Sequence, residues 1–162
     1  MKKEPGYRLN VGLIIVNDKG KVLLCKRKNL DSWQFPQGGI DFGETPLRAA
    51  KRELFEEVGI KAGSVRLIGS LEEWLKYDIP KESRRKHFLQ KKFKGQKQKW
   101  IMFKLTKNVD VSFENDPDSE FDDYKWVSYW YPLRSIISFK KDVYRKALTG
   151  LRFIFCEECR ND

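Results

Sequence analysis

The stretch that decides the fold is Gly38–Ile60, GGIDFGETPLRAAKRELFEEVGI. From Glu44 to Val58 the apolar residues Leu47, Ala50, Leu54 and Val58 recur at steps of three and four, the stripe of an amphipathic helix. Gly59 follows at once, a usual C-terminal stop. Before the helix, Gly38, Gly39 and Gly43 permit a tight loop whose backbone can approach a ligand closely. The acids of this helix are unusually placed. Glu53, Glu56 and Glu57 stand at i, i+3 and i+4, on one face. Carboxylates so close repel one another by up to ~1 kcal/mol per pair even in water-like surroundings. Arg52 offsets one charge of the three. Hard oxygen ligands converging on one face suit Mg²⁺ or Mn²⁺. An exposed acidic face is the alternative reading of Glu-x-x-Glu-Glu alone, and the glycines at both ends of the helix weigh against it.

Outward from this segment the chain alternates strand and helix. Leu9–Val16 is a continuous apolar run, Asn17-Asp18-Lys19-Gly20 a turn signal, and Val22–Cys25 resumes the run, so residues 9–27 read as a hairpin. Ser32–Gly43, with Pro36, reads as an ordered loop. Val65–Leu75, Trp100–Leu105 and Tyr124–Val127 read as strands, and Ser135–Leu148 as a second helix. The expected fold class is α/β, with helices packed on a mixed sheet. The expected organisation is one domain over 6–149 and a C-terminal tail over 150–162, with no internal repeat.

The chain has 162 residues, 40% hydrophobic and 14% aromatic, enough for one core and too apolar for a disordered chain. No apolar run approaches the roughly 18–20 residues of a membrane helix. The basic N-terminus has no apolar stretch behind it, so no signal peptide and no membrane partner are expected. Three cysteines, 25, 156 and 159, argue against a disulfide framework and for a reducing, cytoplasmic setting. Cys156 and Cys159 form a lone C-x-x-C without a second ligand pair. The net charge is +10, and it is concentrated: between Lys76 and Lys107 twelve Lys and Arg face Asp78 and Glu82. A basic run is either a solvated loop or a platform for a polyanion. His87, the only histidine, is given no role.

Residues 38–60 resemble the Nudix box, G-x5-E-x7-R-E-U-x-E-E-x-G-U with U a bulky aliphatic. Gly38, Glu44, Arg52, Glu53, Leu54, Glu56, Glu57, Gly59 and Ile60 all match. The resemblance implies an α/β/α sandwich and metal-dependent hydrolysis of a phosphoanhydride in a nucleoside diphosphate linked to another group. By matching positions, Glu53, Glu56 and Glu57 would hold more than one metal ion, with Gly38 and Glu120 contributing to the metal site. Arg52 would orient a glutamate, Glu44 would brace the loop, and Gly59 would end the helix. The catalytic set would be Arg52, Glu53 and Glu57. Glu53 is the first choice of general base and Glu120 the alternative; the residues themselves leave both open.

The flanks GYRLNVG (6–12), SWQFPQGGI (32–40), GQKQKW (95–100) and WVSYWYPLRSIISFKKDVYRKAL (126–148) resemble one bacterial branch of that family. Its members remove pyrophosphate from the 5′-triphosphate end of RNA, leaving a monophosphate and starting decay of the message. Near relatives hydrolyse dinucleoside polyphosphates. The expected partner is therefore 5′-triphosphorylated or diphosphorylated RNA, with dinucleoside polyphosphates as the rival substrate and a non-catalytic RNA-binding module as a rival of another class. Arg8 and Arg27 are suitable phosphate donors, and Arg27 can also stack on a base. The resemblance places Phe139 and Lys140 in the pocket for the RNA end, with Ile137 completing an apolar wall and Gln37, Lys97 and Lys99 near the triphosphate. Glu120 sits in an acidic run with Asp116, Asp118, Asp122 and Asp123, mostly solvated turn residues on this reading. The loop 81–94 follows no pattern of the family.

Overall fold

The computed structural model describes residues 3–84 and 93–160; His87 and most of the loop 81–94 lie outside the described residues. Strand β1 (Tyr7–Val16) is the axis of an eight-stranded mixed sheet. One edge of β1 runs parallel to β7 (Gly95–Leu105) over its whole length, from Tyr7 opposite Gly95 to Val16 opposite Lys104. The other edge is divided. β2 (Val22–Arg27) lies beside Val16, and the short β4 (Gln37–Gly39) lies beside Asn10–Gly12. Beyond these, β3 (Trp33–Gln34) and β8 (Phe121–Val127) pair with β2, and β5 (Val65–Ser70) and β6 (Leu75–Asp78) pair with β7. The hairpin turn is set by Asn17, whose side-chain oxygen accepts from the Lys19 and Lys21 amides at 3.0 and 2.9 Å.

The sheet has a helix on each face. Alternation along β1 sends Val11, Leu13 and Ile15 to one side, where they bury Ala49, Ala50, Leu54 and Val58 of α1 (Pro46–Val58). Ile14 and Val16 go to the other side, where Trp100, Met102 and Phe35 meet Val143, Tyr144, Ala147, Leu148 and Leu151. Those last residues belong to α3 (Lys141–Arg160), which follows the single turn α2 (Pro132–Ser135) and a 3-10 turn, Ser138–Lys140. This is the helix–sheet–helix layering the sequence implies.

Four segments differ from the sequence reading. Ser32–Gly43, expected as a loop, contributes β3 and β4, because its backbone pairs with β2 and β1. The strand expected over Val65–Leu75 is two, because the chain bends at residues 71–74 and starts β6 in a new register on the same partner, β7. The residues expected as a helix from Ser135 to Leu148 begin with two short turns, and the long helix runs from Lys141 to Arg160. Residues 150–160, expected as a tail, are therefore its second half. Gly150 reads as a stop, yet the apolar steps continue through Leu151, Ile154 and Phe155. A β-carbon on Gly150 would lie 2.4 Å from Leu71, so close packing against the bend at 71–74 explains the glycine. Phe155 stacks on Tyr129 at 4.2 Å, and the Tyr129 hydroxyl donates to the Leu148 carbonyl at 2.6 Å, fixing this half in place. No helix among the described residues is long and apolar enough to cross a membrane.

Candidate active site

α1 is held at both ends. The Thr45 hydroxyl accepts from the Arg48 amide at 3.2 Å, Pro46 opens the first turn, and Gly59 closes the last in the left-handed region at φ 72°. The carboxylates near its C-terminal end are thus fixed relative to β4, against which the helix lies. Gly38 and Gly39 make that approach possible. A β-carbon on Gly38 would stand 2.0 Å from the Glu53 carboxyl carbon, and one on Gly39 would stand 2.2 Å from the Arg8 guanidinium. Since successive residues of a strand face opposite sides, β4 carries Glu53 against one face and Arg8 against the other.

Arg52 organises the acids. Its Nε and Nη2 donate to the two oxygens of Glu44, both at 2.9 Å. Nη1 donates to Glu53 at 2.7 Å and Glu56 at 3.2 Å, and Nη2 also donates to the Gly39 carbonyl at 2.8 Å. Glu44 in turn accepts from the Asp41 amide at 3.0 Å, tying the loop to the helix. The paired guanidinium holds the Glu44 carboxyl below its ordinary range, and the carboxylates hold Arg52 firmly protonated.

Glu53 and Glu57 are 8% and 5% exposed. Glu57 accepts a hydrogen bond from the Gln37 amide at 3.2 Å. Burial pushes Glu53 up to about 7 against the pull of Arg52, with Glu56 and Glu120 adding repulsion. Burial pushes Glu57 well above the carboxylate range, with Glu120, Glu53 and Asp116 adding to it. Glu120, which precedes β8, is therefore close enough for its charge to reach both. Its position is set by its backbone: the amide donates to Asp116 at 2.8 Å and the carbonyl accepts from the Lys28 amide at 2.7 Å. Asp116 is buried and also binds the Asp118 amide, while Asp118, Asp122 and Asp123 are exposed. Of the acidic run, then, Asp116 is a structural brace rather than a solvated turn residue.

Among the described residues no three acids, histidines or cysteines are gathered into a ready cage for a metal ion. Mutual repulsion keeps unneutralised carboxylates apart. The donor set nonetheless fits hard divalent cations: oxygen ligands only, two of them buried, with more negative charge than Arg52 can balance.

On the opposite side of β4 lies a second polar group. Gln98 donates to Asn10 at 2.8 Å and to Gln37 at 3.2 Å, and Gln37 donates to the Tyr77 hydroxyl at 3.3 Å. Lys140, 5% exposed, donates to Gln34 at 3.3 Å and lies 5.5 Å from the centre of the Tyr77 ring. Phe139 packs on the same ring at 6.0 Å, and Ile137 is 42% exposed beside it in sequence. Tyr77 is pushed up to about 12 by burial, while the charge of Arg27 pulls it down and that of Glu120 pushes it up. Tyr77 thus gathers Gln37, Phe139 and Lys140 around one ring.

Lys140 is an inward-facing residue of this cluster, beside the Tyr77 ring on which Phe139 packs. One placement departs from expectation. Lys97 and Lys99 alternate with Gln98, so they point to the other face of the sheet from Gln37. Lys97 pairs with Glu4 at 3.4 Å, and Lys99 donates to the Glu72 carbonyl at 2.9 Å. The sequence reading missed Tyr77, Asn10, Gln34 and Gln98. The signal was available for Gln98, since GQKQKW alternates amides with lysines, as a strand with two different polar faces must.

The fold, the loop–helix–loop and the paired glutamates define the class, and the NUDIX domain matches residues 6–147: the chain belongs to the Nudix family. It is 47% identical over 160 residues to the RNA pyrophosphohydrolase of Actinobacillus succinogenes, covering 97% of this chain and 80% of that one. With the RNA pyrophosphohydrolase of Francisella philomiragia it shares 46% over 150 residues, covering 92% and 96%. Among solved structures, the dihydroneopterin triphosphate pyrophosphohydrolase of E. coli aligns with a TM-score of 0.70 at 23% identity, covering 88% of this chain and 97% of that one, a likeness of fold. Nudix hydrolases generally use divalent metal ions.

Proposed function

We propose that this protein is an RNA 5′-pyrophosphohydrolase of the cytoplasm, using Mg²⁺ or Mn²⁺ to cut the 5′-triphosphate end of RNA to a monophosphate. The observation that carries the reading is the corner where Glu53 and Glu57 are buried against strand β4, within electrostatic reach of Glu120. It is supported by a chain-long likeness to proteins named for this activity. Glu53, Glu56, Glu57 and Glu120 would hold the ions, with the Gly38 backbone beside them. Divalent ions supply the positive charge that a crowded polyphosphate needs before water can attack it.

The residues of the chain do the rest. Arg52 holds one oxygen of Glu53 and so orients the carboxylate to take a proton from water. Glu44 holds the Asp41 amide and Arg52 together, so the loop keeps its shape as charge changes. Arg8, against Gly39 on the face opposite α1, and Arg27, whose charge reaches Tyr77, would take phosphate oxygens. Phe139, backed by Tyr77, offers a ring for the terminal bases, with Lys140 and Gln37 as polar contacts and Ile137 at the edge.

The test is a substrate panel. Purified protein with Mg²⁺ or Mn²⁺ is assayed on 5′-triphosphorylated RNA beside diadenosine polyphosphates. The expected result is conversion to 5′-monophosphorylated RNA with higher kcat/KM than on the dinucleotides. A large preference for the dinucleotides overturns the RNA reading.

A further inference from the structure

Among the described residues, the face of the sheet that carries α1 is covered only in part. The buried cluster under α1 extends along β1 no further than Val11 and along β7 no further than Ile101. Beyond that point the same face carries alternating residues of β1, β6 and β7, among them Tyr7, Lys76, Lys97 and Lys99, with Lys94 and Trp74 just outside the strands. Rings and cations are interleaved there. Lys76 and Lys94 lie 5.0 and 5.1 Å from the centre of the Tyr7 ring, and Lys99 lies 6.0 Å from that of Trp74. Glu4 pairs with Lys76 and Lys97, and Asp78 accepts from the Tyr7 hydroxyl at 2.5 Å, so two carboxylates oppose four lysines.

The face is continuous with the box loop. The Ile40 amide donates to Leu9 at 3.0 Å at the end of β4, and Phe42, two residues on, is 98% exposed with Lys3 at 5.7 Å from its ring. An open sheet with rings set among cations is the chemistry that binds single-stranded nucleic acid: cations take the phosphates, and rings take unpaired bases.

We infer that this face, from Phe42 past Tyr7 to Trp74, is a track for the single-stranded part of the RNA substrate downstream of its 5′ end. The inference rests on the RNA reading above and extends it beyond the terminal nucleotides. Tyr7 holds the Lys76 and Lys94 ammonium groups over one surface, and Trp74 and Phe42 serve as stacking platforms. The bases nearest the triphosphate stay on the opposite face, with Phe139.

The test compares full-length wild type with Lys76→Glu/Lys94→Glu on 5′-triphosphorylated RNAs of about 3 and about 12 nucleotides, below and within the usual span of a single-strand groove. The double variant is expected to lose roughly tenfold in kcat/KM on the longer RNA, through KM, and to stay within about twofold on the shorter; its salt dependence on the longer RNA should be shallower by about 1.4 in logarithmic slope. Lys76→Gln/Lys94→Gln should move the same way by less, and Trp74→Ala or Phe42→Ala should each cost about fivefold on the longer RNA alone. Equal losses on both lengths, or none on the longer, overturn the proposal. Affinity for a 5′-hydroxyl oligonucleotide of about 12 nucleotides, measured by fluorescence anisotropy, reads the track without turnover. If charge reversal leaves that affinity unchanged, the track is wrong whatever the substrate panel shows; if the loss appears instead on anionic phospholipid vesicles, the face serves a lipid surface. Absence of turnover on both RNAs, with the dinucleotides cut, is failure of the RNA reading itself.

Discussion

Two polar clusters flank β4, and they are built on opposite principles. On the α1 side, Glu44, Glu53 and Glu56 pair with one Arg52 while Glu57 and Glu120 do not, so negative charge is in excess and two of the carboxyls are pushed upward by burial. On the α3 side, Asn10, Gln34, Gln37, Gln98 and Tyr77 are neutral, and Lys140 donates to an amide and lies over a ring. A neutral network carries no charge of its own for pH or metal to change, and its members are held by mutual hydrogen bonds even though Gln98 Oε1 is buried without a partner among the described residues. A buried excess of like charge is stable only when protonated or neutralised by cations. The first cluster therefore responds to pH and metal. The second provides a fixed wall.

The acid corner should respond most strongly to substitution. Glu53→Gln and Glu57→Gln should each lower kcat by about 10³-fold or more while RNA binding is largely kept, given the weight of metal and proton-transfer roles. Single-turnover assays with a parallel binding measurement check this, and near-normal turnover in both variants would remove them from the site. Arg52→Lys should lower kcat by about 10²-fold and also lower Tm. A lysine offers a point charge where the guanidinium serves Glu44, Glu53, Glu56 and the Gly39 carbonyl together.

The neutral cluster should respond less. Phe139→Ala should reduce kcat/KM on RNA by roughly tenfold, the value of one stacked base, with Tm nearly unchanged. A collapse of Tm would show that Phe139 belongs to the core instead, where it is half-buried against Tyr77.

The smallest effect is on stability. Glu53 has a folded pKa of about 7 against an ordinary 4.5, so its neutral form fits the fold better than its charged form. The stability it lends is fully present below pH 4.5 and is lost as pH rises to about 7. The Tm of metal-free protein should therefore fall across this window. Glu53→Gln should flatten the fall, and saturating Mg²⁺ should offset it at pH 7.5, by about 2.7 kcal/mol at a hundred times Kd. A Tm that rises through the window, in wild type and variant alike, contradicts this account of the corner.

Much of this could be read from the chain because helix and strand periods are local. The i, i+3, i+4 spacing places Glu53, Glu56 and Glu57 on one face without any knowledge of the rest, and Gly59 ends the helix where it must. The hairpin over 9–27 follows in the same way from two apolar runs and Asn17–Gly20. Glu120 entered through likeness alone, because it comes from a distant part of the chain and no local pattern connects it to the helix.

What the sequence determined by itself is the identity and phase of each element: an acidic helix stripe, an alternating strand, a glycine where backbone must pass close. Only the tertiary structure decided which faces meet. Strand alternation turned Lys97 and Lys99 away from Gln37, packing on Leu71 carried the last helix past Gly150, and burial drew Lys140 inward against Gln34 and Tyr77. Each of these depends on partners far away in the chain, and a local period carries no information about a distant partner.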